Sequence, residues 1–194
     1  MLLAVDIGNT NIVFALYDGK VQKGMWRCMT DTGRTSDEYL AFLSQHFQLS
    51  NVSVKDVSDV IVSSVVPEVD FAIRRLCENS FHCRPIFVGK DTGPLGIEIK
   101  IDRPSELGAD RLVNTFAVHK KYQCAAIVLD FGTATTFDIV DKDGNFCGGV
   151  IAPGPNLSLE ALHLAAAKLP SVAVKKPKSA LATNTVDAMQ SGIF

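Results

Sequence analysis

One local pattern occurs twice in this chain, and it limits the fold more than any other feature. In the first copy an apolar run from Met1 to Val5 ends at Asp6, and Asp6-Ile7-Gly8-Asn9-Thr10 leads into a β-rich run from Asn11 to Tyr17. Asp18-Gly19 then reads as a tight turn into Lys20 to Met29. In the second copy Ala125 to Leu129 runs into Asp130, and Asp130-Phe131-Gly132-Thr133-Ala134 leads into Thr135 to Val140. Asp143-Gly144 turns the chain into Asn145 to Ile151. Each copy reads strand, Asp-x-Gly, polar side chain, strand, Asp-Gly turn, strand. Two copies, not many, argue for a pseudo-twofold pair of α/β domains and against a solenoid.

The residues of the Asp-x-Gly turn carry a chemistry of their own. Glycine removes a Cβ, so anionic oxygens can approach successive backbone N–H groups. Thr and Asn side chains add hydrogen bonds to phosphate oxygens. The aspartate repels phosphate but can hold a Mg²⁺ that bridges phosphates. One such turn alone reads equally well as the plain end of a strand, because Asp and Gly favour turns. Two at matching places predict a clamp on a nucleoside triphosphate.

Between the copies, Thr35-x-x-Glu38 has the form of a capping box and predicts a helix from Thr35 or Ser36, with Leu40, Leu43 and Phe47 at helical spacing. Val60 to Val66 reads as a buried strand, and Pro67 opens a helix through Phe71, Arg74, Arg75 and Leu76. Pro85 to Val88 is a short strand, and a turn-rich connector from Gly93 to Gly96 precedes Ile97 to Ile101. Ser105 is predicted to cap a helix reaching Lys121, with Ala109, Leu112, Val113, Phe116 and Ala117 on one face. After the second copy, Leu157 to Lys168 reads as helix, Pro170 to Pro177 as linker, and a last helix begins near Asn184.

Composition narrows the partners. A net charge of -2 over 194 residues offers no general attraction to nucleic acid or an anionic membrane. No run approaches the ~20 apolar residues of a membrane span. The start, Met1-Leu2-Leu3-Ala4-Val5-Asp6, has no basic leader, so export is not expected. Cys28, Cys77, Cys83, Cys124 and Cys147 are odd in number, scattered and free of C-x-x-C, which fits a reducing cytoplasm. Cys124 and Cys147 lie in apolar runs and are expected to be buried. The four histidines show no ligand spacing, and Lys175, Lys176 and Lys178 read as a solvated loop.

Five strings stand in order along the chain: Asp6-Ile7-Gly8-Asn9-Thr10-Asn11, Gly108-Ala109-Asp110-Arg111, Asp130-Phe131-Gly132-Thr133-Ala134-Thr135-Thr136, Gly148-Gly149-Val150-Ile151-Ala152-Pro153-Gly154, and Asn184-Thr185-Val186-Asp187-Ala188-Met189-Gln190-Ser191-Gly192. Together they resemble the type III pantothenate kinases, a family that includes Bvg accessory factor homologues, within the superfamily of acetate and sugar kinases, chaperone ATPases and actin.

The resemblance implies an α/β fold of two ribonuclease-H-like, actin-like ATPase domains around a cleft, residues 1–116 and 117–194. It implies phosphorylation of pantothenate by ATP to 4'-phosphopantothenate, the entry to coenzyme A. Asp6, Ile7, Gly8, Asn9, Thr10, Asn11, Ile12 and Val13 would form the first phosphate loop, with Asp6 at the Mg²⁺–phosphate end. Thr133 would contact ATP, and Asp130 would help hold a monovalent cation, K⁺ or NH₄⁺. Gly108, Ala109, Asp110 and Arg111 would line the pantothenate pocket, with Asp110 the catalytic base and Thr185 a further substrate contact. Members are homodimers with pockets near the subunit interface.

The residues support these roles physically. A primary alcohol is a poor nucleophile, so a carboxylate within reach of its proton helps phosphoryl transfer. Arg111 has the fork to clamp the carboxylate of pantothenate. The plainer alternatives are that Asp110 complements a helix macrodipole and that Arg111 makes an ordinary salt bridge. A non-catalytic nucleotide-binding regulator and a kinase of another small hydroxylated metabolite are the rival functions. Intact Asp6, Asp110 and Asp130 favour catalysis.

Two features depart from the family pattern. Ile101 stands where members often have tyrosine, so a phenol contact is missing while an apolar wall is expected to remain. The chain also stops at Phe194 inside the last helix, where relatives continue. That predicts an incomplete second domain with exposed apolar sheet, and a chain that binds ATP weakly or misfolds where a longer one would be competent.

Overall fold

The first copy of the pattern folds into β1 (Leu2–Ile7), β2 (Asn11–Asp18) and β3 (Val21–Met29), an antiparallel meander. A computed structural model describes residues 1–194 and shows what this meander is joined to. Helix α1 (Ser36–Leu49) begins at the expected capping box, in which Thr35 and Glu38 satisfy each other's backbone N–H groups. The Val60 to Val66 run contributes β4 (Asp59–Ser64), which lies parallel to β1. Helix α2 (Pro67–Leu76), with Pro67 in its first turn, leads on towards β5 (Ile86–Phe87), parallel to β4. The result is a mixed five-stranded sheet in the order β3-β2-β1-β4-β5.

Side-chain alternation decides which face is closed. Leu3, Val5 and Ile7 of β1 and Ile12, Phe14 and Leu16 of β2 are buried at period two. Tyr39, Leu43 and Phe47 of α1 and Val69, Ile73 and Leu76 of α2 cover them, in one core of 19 buried residues. The opposite face carries Ala4, Asp6, Val13, Ala15, Ile61 and Ser63, and it meets a third helix across a cavity of about 340 Å³. That helix is α3 (Ala109–Tyr122). Ser105 does not cap it. Pro104 draws Ser105 into a separate 3₁₀ turn, Leu107 is extended, and Gly108 occupies the cap position without any side-chain bond.

The second copy folds into β6 (Ala126–Phe131), β7 (Ala134–Val140) and β8 (Phe146–Pro153), a three-stranded antiparallel sheet in that order. Helix α4 (Pro155–Ala165) is shorter than expected, and α5 (Thr185–Ile193) is capped by the Asn184 side chain, which accepts from the Asp187 amide. Ile97 to Ile101 forms no strand. Gly96 at a φ of +77° turns the chain just before it, and only Ile99 bridges to Phe146. Lys100 N–H donates to the Phe146 carbonyl at 2.7 Å and Phe146 N–H to the Glu98 carbonyl at 3.0 Å, which stitches this connector to the start of β8.

All five cysteines are free thiols. Cys124 and Cys147 are exposed, contrary to expectation: Cys124 precedes β6, and Cys147 points away from the face on which its neighbour Phe146 is buried. No helix is long and apolar enough to cross a membrane.

Candidate active site

The two Asp-x-Gly turns face one another. Thr10 Oγ1 and Thr133 Oγ1 are hydrogen-bonded at 2.6 Å, although 123 positions separate them in sequence. Each turn is closed by its own glycine: Gly8 N–H donates to the Asn11 carbonyl at 3.0 Å and Gly132 N–H to the Ala134 carbonyl at 2.9 Å. Those two amides are therefore not the ones free for an anion. The amides of Asn9, Thr10 and Thr133 have no acceptor within the chain and remain available. Gly154 packs against the second turn and donates to the Thr133 carbonyl at 2.9 Å; a Cβ there would collide with the Gly132 and Thr133 carbonyls.

The turns border a cleft of about 580 Å³. Asp6, Gly8, Asn9, Thr10, Asn11, Val13, Asp110, Asp130 and Thr133 all line it. Ile7 and Ile12 do not: both are fully buried in the sheet core, so only their backbone belongs to the loop. The start of α4 opens onto the same space with Asn156 and Leu157, and its first turn lacks a side-chain cap. Uncapped N–H groups at a helix start favour an anion.

Asp110 stands in the first turn of α3, its Oδ1 accepting from the Arg111 amide at 2.7 Å. Gly108 leaves room for this, since a Cβ there would meet the same oxygen. Burial pushes the Asp110 carboxyl above its ordinary value against the pull of that amide, and the charge of Asp130 adds to the rise. Asp6 is raised as well. It opens to water at the cleft floor but is hemmed in by protein on its other sides, and this partial desolvation is the main cause, with Asp110 and Asp130 adding repulsion.

The three carboxylates repel one another across the cleft. No group of three or more His, Cys, Asp or Glu side chains is arranged to hold a metal unaided. The oxygen donors fit a hard cation that shares its coordination with phosphates and water.

A second cavity of about 800 Å³ shares Val65 with the cleft and is lined by Gly108 and Ala109, the two residues before Asp110. Its wall is largely apolar, with Val88, Ile97, Ile99, Leu107 and Leu112, and Lys90 at its edge in an ion pair with Asp70. Ile101 is not part of that wall; it packs beside Gly148, and Ile97 and Ile99 take its place. The first turn of α3 thus divides an apolar pocket from a polar cleft.

Arg111 turns away from the cleft. Its Nε donates to Asp138 Oδ1 at 2.8 Å, Nη2 reaches the same oxygen, and the Phe146 ring lies 5.1 Å from the guanidinium carbon. Asp138 is fully buried, and Gly149 makes room for the pair, because a Cβ would press on both partners. The salt bridge is not a surface one. It ties α3 to the second sheet.

Thr185 is exposed on α5 and lines neither cavity. Three residues of the site escaped sequence reasoning. Asn114 donates to Asp130 Oδ2 at 3.2 Å from one turn beyond Asp110, a place that i,i+4 spacing on α3 could have indicated. Arg27 lines the cleft from β3. Asp138 gave no signal beyond being an acid in an apolar strand.

Residues 2–194 match the profile of the family described as type III pantothenate kinase. A protein of that name from Paramagnetospirillum magneticum is 56% identical over 194 residues, which are 100% of this chain and 75% of the relative. One from Rhodospirillum rubrum is 53% identical, with 100% and 76% covered. A crystal structure from Campylobacter jejuni, of a protein named for the Baf family of transcriptional activators, is 20% identical with a TM-score of 0.60, over 98% of this chain and 73% of that one. That likeness establishes the class, an α/β fold built on a mixed sheet. The sequence matches go further: this chain belongs to the type III pantothenate kinase family.

Proposed function

We propose that the chain phosphorylates pantothenate with ATP, giving 4'-phosphopantothenate and ADP at the entry to coenzyme A synthesis. The observation that carries this reading is that Asp110 lines the polar cleft directly after Gly108 and Ala109, which line the apolar pocket. The apolar pocket suits the dimethyl-bearing body of pantothenate, and the cleft with its free amides suits a triphosphate. The primary hydroxyl then sits beside Asp110, whose carboxylate takes its proton. The alcohol oxygen bonds to the γ-phosphorus as the bond to the β–γ bridging oxygen breaks, and ADP leaves.

Asp6 would hold Mg²⁺ through the phosphates, and Asp130, steadied by Asn114, a monovalent cation, K⁺ or NH₄⁺. Such cations, when bound, offset phosphate charge. The Thr10–Thr133 hydroxyl pair spends one proton on its own bond and leaves the other, with the free amides of the two turns, for phosphate. Arg111, held on Asp138 and lining neither cavity, serves to fix the first turn of α3, and with it Asp110, rather than to clamp the pantothenate carboxylate.

In this reading the two sheets are the centres of two actin-like domains around the cleft, residues 1–116 and 117–194. Thr185 stands apart from the pocket of its own chain, so its contact with pantothenate would come from a second copy, in a homodimer. The free thiols suit a reducing cytoplasm.

A coupled ADP-release assay with Mg²⁺ and K⁺, offering pantothenate against a panel of sugars and hydroxy acids, tests the reaction. Pantothenate is expected to support turnover selectively, and Asp110→Asn to lower kcat about 10²–10⁴-fold. Turnover on a sugar but not on pantothenate, or an undiminished Asp110→Asn enzyme, would overturn the reading.

A further inference from the structure

Arg27 on β3 pairs across the sheet with Val13 on β2, and Val13 pairs with Asp6 on β1. Side chains paired in this way project to the same face. Arg27 and Asp6 therefore share the cleft face, two strands or about 10 Å apart. The neighbouring Trp26 points the other way, its ring stacked on His46 at 5.6 Å and tilted against Phe47 at 5.3 Å. That packing anchors β3 and leaves Arg27 on the cleft side.

The charges around the cleft are uneven. Asp6, Asp110, Asp130 and Glu160 are acids, and Arg27 is the one basic side chain among the lining residues. An arginine among four carboxylates would ordinarily pair with one of them. It pairs with none: no salt bridge and no side-chain hydrogen bond within the chain includes Arg27. Val13 holds it one strand away from Asp6. A guanidinium so placed retains all five donors in a rigid fork, the geometry that matches phosphate oxygens.

We propose that Arg27 is a phosphate-binding residue, contacting the nucleotide's phosphate chain from β3 on the far side of Val13 from Asp6. The inference rests on reading the cleft as the nucleotide site. It divides the labour along one row of the sheet: Asp6 serves the cation, and Arg27 the phosphate oxygens directly. It also identifies the positive charge that the chain itself brings to a cleft otherwise lined by acids.

The test is titration calorimetry of Arg27→Gln and Arg27→Lys with adenosine and with the non-hydrolysable triphosphate AMP-PNP, Mg²⁺ being present throughout. In Arg27→Gln the affinity for AMP-PNP should fall about ten- to hundredfold, the loss of a charge-assisted pair, while adenosine stays within about twofold. Arg27→Lys should recover part of the loss as a point charge. In turnover, KM for ATP should rise and KM for pantothenate stay nearly constant. Unchanged AMP-PNP affinity in Arg27→Gln would overturn the inference, and so would an equal loss for adenosine, which marks a disturbed fold. A parent protein that binds AMP-PNP but releases no ADP on pantothenate would overturn the kinase reading and leave this one standing.

Discussion

The two meanders share a plan and differ in what surrounds them. β1 lies between an antiparallel β2 and a parallel β4, whereas β6 pairs only with β7 and is an edge strand. Two helices close the face of the first sheet. In the second, Ile127, Leu129, Phe131, Val150 and Ile151 stay exposed. The turns differ too: from paired Ile7 to paired Ile12 there are more residues than from Phe131 to Thr135, so the second turn is tighter. Along the equivalent row the first sheet presents Asp6, Val13 and Arg27, and the second Asp130, Thr136 and Ile151. Duplication preserved the geometry that aims two turns at one space. It did not preserve charge, so only the first hairpin offers a cation to the cleft.

The largest effect that can break this comparison is on stability. Phe14→Ala should cost about 3–5 kcal/mol, because the ring is wholly enclosed between sheet and helices. Phe131→Ala, at a ring 67% exposed, should stay within about 0.5 kcal/mol. Urea unfolding of both variants compares the halves directly, and equal losses would show that the second sheet is covered in solution.

A smaller effect concerns the link between the halves. Asp138→Asn keeps the shape but removes the charge opposite Arg111, and urea unfolding should record a loss of about 1.5–3 kcal/mol. Stability unchanged within error would mean that the pair does not fasten α3 to the second sheet.

The smallest effect is a shift in pH dependence. In the proposed reaction Asp110 must be ionised to accept a proton, so kcat/KM should fall as pH drops through its pKa, which burial raises above the ordinary carboxylate value. Asp130 raises it further. Asp130→Asn removes that charge, lowers the Asp110 pKa, and should move the acid limb of the remaining activity to lower pH. An acid limb that stays put or moves up would show that the second hairpin's carboxylate does not act on the base.

Much of the fold was legible because its signals are local. The strand alternation of β1 and β2, the Asp-Gly hairpin turns, the Thr35 to Glu38 capping box and Pro67 in a first helical turn each depend on neighbours a few positions away. The misreadings share one cause. Ser105 looks like a cap until Pro104 draws it into a separate turn, and Cys147 looks buried until β8 is seen to lie in a sheet with an open face. Burial and pairing are properties of the partner surface, which local composition does not contain.

The candidate site divides in the same way. The paired Asp-x-Gly turns and the Gly108 to Arg111 string mark where chemistry is expected, because turn geometry and helix starts are written in adjacent residues. Which side chains share that chemistry was decided only by the tertiary structure. Arg111 is committed to Asp138, 27 positions away, and Arg27 is left without a partner. An ion pair needs its atoms within a few ångströms, and strand register together with the docking of α3 sets those distances.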